Sequence, residues 1–214
     1  MNRTRAFVAG LLVAAFTPAA AAQAATLTTD SRCYVEGQSL TIAGSGWVPG
    51  TRWSVQGASV FDTNVADPLG NWLSTSQRAP IVPRETIKPT TVKLTGTQNG
   101  KEVAGASFKV VNFLVRPRAA HGKPTKKTSF GFSGFLPGKR IYVHVRRGSK
   151  TYTVRAGRGD RTCGTLRTRL RRLPAVPASR IHFGTYKVFV DNRRKLRHGG
   201  RQFRASIRIF KTFR

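Results

Sequence analysis

The chain has 214 residues, with 38 Lys or Arg against 8 Asp or Glu and a formal net charge of +30. Its four histidines show no metal-ligand spacing, and its C-terminal half holds only two carboxylates, so neither a metal centre nor a glycosidase-type acid pair is supported. After the N-terminal apolar run, no stretch approaches membrane-spanning length.

Arg3 and Arg5 precede an apolar run over residues 6–16, and Ala22-Gln23-Ala24 fits a small-residue cleavage site. Residues 1–25 are therefore expected to be a signal peptide, with an uncleaved N-terminal anchor as the alternative. The product is expected to be secreted or held at the cell envelope. Strands are then predicted over residues 27–29, 39–43, 52–56, 58–65, 71–78, 91–95 and 103–111. Asp67-Pro68-Leu69-Gly70 and Asn99-Gly100 supply two of the intervening turns. About seven short strands make one immunoglobulin-like sandwich.

The stretch from Gly44 through Trp47, Pro49 and Gly50 to Trp53 recurs from Phe132 through Phe135, Pro137 and Gly138 to Ile141. A unit repeated at this distance means two copies of one domain. Strands are predicted again over residues 128–132, 140–146, 150–155, 184–190 and 201–209, with Ile141, Val143 and Val145 on one face and Phe203, Ala205, Ile207 and Ile209 on another. The expected organisation is all-β: residues 26–112 as the first immunoglobulin-like sandwich, 113–118 as a link, and 119–214 as the second.

The Gly-x-Gly-aromatic-x-Pro-Gly turn followed by Asp67-x-x-Gly70-x-Trp72 resembles the tandem immunoglobulin-like modules of secreted and cell-surface proteins in bacteria, actinobacteria especially. The resemblance covers nearly all of the first domain; in the second, the Asp-x-x-Gly turn is altered. It implies a scaffold used in adhesion, wall attachment or spacing, and it carries no catalytic residue.

Cys33 and Cys163 are not at equivalent places in the two repeats. Strand reversals put both near the facing poles of the domains, so an inter-domain disulfide is predicted, the alternative being free or intermolecular thiols.

The charge is unevenly placed. Residues 26–115 hold 8 Lys or Arg against 6 Asp or Glu, whereas residues 116–214 hold 28 against 2. Arg167, Arg169 and Arg171, with Arg172 beside them, alternate with Leu166 and Leu170, so three guanidinium groups share one strand face. Arg193, Arg194, Lys195, Arg197 and Arg201 crowd the last hairpin turn, followed by Arg204 and Arg208. Such a coat points to a polyanion: an anionic envelope polymer such as a teichoic or teichuronic-type chain, lipid headgroups, or extracellular nucleic acid bound without specificity. Tyr142 and His144 are expected to share a face that could stack a base or sugar.

The alternatives are a structural or protein-adhesion module with incidental charge, and a small wall enzyme using Cys163 with His182. No cofactor or metal is expected, and the oligomeric state is left open.

Overall fold

A computed structural model describes residues 24–83, 87–119, 121–197 and 199–210. The expected signal peptide, apart from its last two residues, and His198 lie outside them. Among the described residues no helix is long and apolar enough to cross a membrane.

The chain forms two β-sandwiches. In the first, β1 (Thr26–Thr29), β3 (Ser39–Ser45) and β6 (Trp72–Arg78) make one antiparallel sheet. The other contains β2 (Cys33–Val35), β4 (Arg52–Gly57), β5 (Val60–Val65), β7 (Thr90–Gln98) and β8 (Lys101–Val111), in the order β2-β8-β7-β4-β5. The period of two predicted from the sequence is visible in burial: Leu40 and Ile42 of β3 face Trp53 and Val55 of β4 and Val92 and Leu94 of β7 across a common core. Trp72 stacks on Trp53 with ring centres 3.9 Å apart and meets Trp47 edge-on at 5.3 Å. Tyr34 is buried beside Phe108, and its hydroxyl donates to Asp30 Oδ1 at 2.6 Å; burial, reinforced by that bond, pushes the phenol up to about 12.

The second sandwich pairs β9 (Leu114–Pro117), β10 (Lys127–Ser133) and β13 (Leu166–Arg171) in one sheet. Facing it are β11 (Arg140–Arg147), β12 (Lys150–Arg158), β14 (Gly184–Asp191) and β15 (Phe203–Ile209), in the order β12-β11-β14-β15. Phe132, Phe135, Ile141, Val143, Val145 and Tyr186 fill its core. The Tyr186 hydroxyl donates to the His182 carbonyl at 2.9 Å and accepts from the His182 N–H at 2.8 Å, a tyrosine corner of the kind found in immunoglobulin-like domains.

The repeated turns have matching backbones. Gly46 and Gly134 take φ of 74° and 76°, and Gly50 and Gly138 take 66° and 65°. Each turn is gripped by an amide side chain from the end of its partner strand. Gln98 accepts from the Val48 N–H at 2.9 Å, and Asn192 accepts from the Leu136 N–H at 3.1 Å.

Two strands were not read from the sequence. Residues 113–118, taken as a link, contain β9, which pairs with β10 from Pro117↔Phe130 to Leu114↔Ser133. The short β2 leaves the sheet of β1 and runs parallel to β8, with Cys33 opposite Lys109. That change of sheet carries Cys33 to the end of the first sandwich nearest the second. Cys33 and Cys163 are joined there, with Cα atoms 5.4 Å apart.

Candidate polyanion-binding surfaces

On β13 the sequence alternates, and burial follows it: Leu166, Thr168 and Leu170 turn inward, while Arg167, Arg169 and Arg171 are exposed. Alternate residues on a strand stand about 6.6 Å apart, so the three guanidinium groups form a ladder. Register places Lys127 opposite Arg171, Ser129 opposite Arg169 and Gly131 opposite Arg167, with Arg116 on the far side of Gly131. Ile87 of the first sandwich packs over Gly131, where a Cβ would meet its Cδ1 at 2.5 Å. The end bearing Lys127, Arg169 and Arg171 lies away from that contact. It borders a shallow cavity of about 400 Å³ whose walls include Leu170, Val154 and Pro174.

Arg172 departs from this face. It is half-buried, its Nε donates to the Ala119 carbonyl at 3.4 Å, and its guanidinium packs against Gly122.

The second cationic group sits on the other side of the sandwich. Residues 192–197 and 199–202 fold back across the outer face of the four-stranded sheet and cover what alternation had placed in solvent. His144 is fully buried. Its Nδ1 lies 2.8 Å from Thr153 Oγ1, and its Nε2 lies 3.3 Å from Asp191 Oδ1 and 3.1 Å from the Arg193 carbonyl. Asp191 also accepts from the Arg193 N–H at 2.8 Å and from Gln202 Nε2 at 3.0 Å. The expectation that His144 could stack a ligand is therefore corrected, because the returning loop lies on it; Tyr142 stays partly exposed.

The cations of this loop have different positions. Arg193 reaches the Gly199 carbonyl within the loop. Arg201 turns toward the junction, donating to the Gly134 carbonyl at 3.2 Å and lying 5.8 Å from the centre of the Phe113 ring. Arg204 donates to Gln202 Oε1, and Arg208 lies over Phe210. Arg194, Lys195 and Arg197 are exposed, and among the described residues their side chains make no hydrogen bond or ion pair. Of the eleven cations singled out in the sequence, Arg172 is thus set apart, and the other ten divide between two faces and the junction.

Both carboxylates of the second sandwich are committed elsewhere. Asp191 belongs to the His144 network. Asp160 accepts from the backbone N–H groups of Thr162 at 2.8 Å, Cys163 at 2.7 Å and Thr165 at 2.6 Å, and from the Thr165 hydroxyl. This turn is one residue longer than the turn at Asp67, yet Asp160 plays the same part: Asp67 Oδ1 accepts from Leu69 and Asn71 at 2.8 Å each. An Arg158-Gly159-Asp160 tripeptide so bound does not present its carboxylate to a partner.

Burial alone would raise the Asp160 carboxyl. The bonds from Thr165, Cys163 and Thr162 outweigh that effect and hold it below its ordinary 3.8. A carboxyl lowered by folding stabilises the fold above its unfolded value, and that stability is lost as pH falls through the folded value. Urea unfolding followed from pH 5 downward should show the second sandwich weakening below about pH 4, and Asp160→Asn should flatten this dependence. An identical acid slope in the variant would contradict the assignment.

No family profile matches this chain, and no curated protein matches it. Among solved structures it is similar to a tetra-tandem repeat in the extending region of a large adhesion protein, with 12% identity and a TM-score of 0.30 over 88% of this chain and 49% of that one. It is similar also to the Yersinia pseudotuberculosis adhesin InvE, with 10% identity, a TM-score of 0.34, and 86% and 58% of the two chains. A Ca²⁺-stabilized adhesin that helps an Antarctic bacterium bind ice gives 12% identity, a TM-score of 0.37, and 86% and 47%. The chain thus spans about half the length of these three structures. The fold assignment rests on the strand pairing described above.

The structure also gathers residues that had not been singled out together. Arg140, Tyr142, Thr153, Arg155 and Arg194 line a groove of about 370 Å³ on the four-stranded sheet. Alternation along β11 and β12 carries part of this signal, but a register shift at Ile141/Tyr142 and the loop bringing Arg194 do not show in the sequence.

Proposed function

We propose that the chain is an exported, non-catalytic binding protein. Its near-neutral first sandwich acts as a spacer, and its second associates with an anionic polymer of the cell envelope. The observation that supports this best is the imbalance of charge: residues 116–214 hold 28 Lys or Arg against two carboxylates, both engaged by turn amides, His144 or Gln202. Cations on a small domain repel one another unless an external anion neutralises them. Arg ladders suit that role, since a guanidinium presents paired donors to phosphate, sulfate or carboxylate oxygens.

Elution from heparin under a salt gradient tests the reading, because charge-driven binding weakens linearly in log salt. Changing Arg167, Arg169 and Arg171 to Ser, or Arg193, Arg194, Lys195 and Arg197 to Ser, should each lower the eluting salt. In binding assays, the ladder variant should lower the salt slope by about 2. Elution of both variants with the wild type would favour the other reading, an adhesion module with incidental charge.

A further inference from the structure

The groove formed by Arg140, Tyr142, Thr153, Arg155 and Arg194 combines features that a general cationic coat does not need. Arg140 stands at the start of β11, Arg155 lies on β12 opposite Tyr142, and Arg194 arrives from the β14–β15 connection. Among the described residues these three guanidinium groups have no hydrogen-bond or ion-pair partner.

The wall between them is set by a buried network. His144 Nε2 faces two acceptors, Asp191 Oδ1 and the Arg193 carbonyl, so Nε2 is a donor and, in an uncharged ring, Nδ1 is an acceptor. Nδ1 then accepts the Thr153 hydroxyl hydrogen, at 2.8 Å. Thr153, exposed in the groove, is left with only lone pairs to offer. The groove therefore holds three cationic donors, one neutral acceptor whose polarity is fixed from behind, and the ring of Tyr142. A bare phosphate or sulfate uses the donors and leaves the acceptor unmatched. A ligand carrying an anionic group and hydroxyl donors on one ring satisfies all of them, its apolar ring face lying against the aromatic side chain.

We propose that this groove binds one acidic sugar residue of an anionic polysaccharide, with Arg140, Arg155 and Arg194 taking the charged group, Thr153 accepting a sugar hydroxyl and Tyr142 receiving the ring. This rests on the polyanion reading above and narrows its ligand to a carbohydrate.

The test uses the mature full-length protein at low, fixed salt, titrated calorimetrically with oligogalacturonate and, separately, with inorganic polyphosphate of matched charge. Thr153→Val and Tyr142→Leu should each weaken oligogalacturonate binding about tenfold while leaving polyphosphate within about twofold. Tyr142 is not among the hydrogen-bond partners of His144, so Tyr142→Leu reads the groove even if the valine variant is misfolded. Unchanged oligogalacturonate binding in Tyr142→Leu, or equal weakening toward both probes, overturns the sugar site and leaves the polyanion reading standing. Failure of the wild type to bind either probe overturns both.

Discussion

Replacing Cys33 and Cys163 together by Ser should leave two folded sandwiches whose mutual orientation is no longer held. The two cores are separate, one built around Trp53 and Leu40 and the other around Phe132 and Ile141, so neither depends on the sulfur bond for its packing. The bond instead spans 130 residues of sequence. In the chain-entropy account, closing a loop of that size restricts the unfolded chain by about 5 kcal/mol, shared here between two unfolding transitions. Calorimetry of the variant should show both transitions falling and separating. Small-angle scattering should show a wider spread of shapes, since Ile87 on Gly131 is then a main remaining bridge. Coincident transitions and an unchanged scattering profile would contradict this.

Gly164→Ala should be nearly as costly, and only for the second sandwich. Gly164 has φ of 64°, and a Cβ there would fall on the Phe135 carbonyl oxygen. The obstacle is backbone, which cannot rotate aside as a side chain can. Strain at a left-handed residue together with that clash amounts to about 4 kcal/mol. Gly70 has φ of 74° and stands in the same relation to the Trp47 carbonyl, so Gly70→Ala should weaken the first sandwich instead. The chain provides a selective probe, because its three tryptophans, Trp47, Trp53 and Trp72, all lie in the first sandwich. Tryptophan fluorescence melts should shift in Gly70→Ala and not in Gly164→Ala, while calorimetry of Gly164→Ala should show a second transition, silent to tryptophan, falling. A shift of the tryptophan transition in Gly164→Ala would mean that the two turns are not independent.

Most of the architecture was legible where local chemistry and burial agree. Alternation located β3, β4, β11 and β15, and the Pro-Gly turns located the repeat, because a half-buried strand and a left-handed glycine each leave a short-range pattern. The placement of both cysteines at facing poles followed from counting strand reversals. What escaped was set by distant partners. Leu114–Pro117 and Cys33–Val35 are too short to show a period, and they become strands only because β10 and β8 offer free edges. The equivalence of Asp160 with Asp67 was hidden by a single inserted residue. His144 was placed on the correct face of its strand, yet a loop that begins nearly 50 residues later covers that face, and no alternation in residues 140–146 records it. The candidate surface was read in the same way: the ladder on β13 is local and was found, whereas the groove with Arg140, Arg155 and Arg194 is assembled from three separated stretches.

The bond between Cys33 and Cys163 also sets the route of any mechanical load. A pull applied at the two chain ends would pass from the short N-terminal strand directly across the sulfurs into the segment that begins at β13. Everything from β3 to β12 would then hang outside the line of tension, and as the flanking strands stretched it would lose only the pairings it makes with β1, β2, β13 and β14.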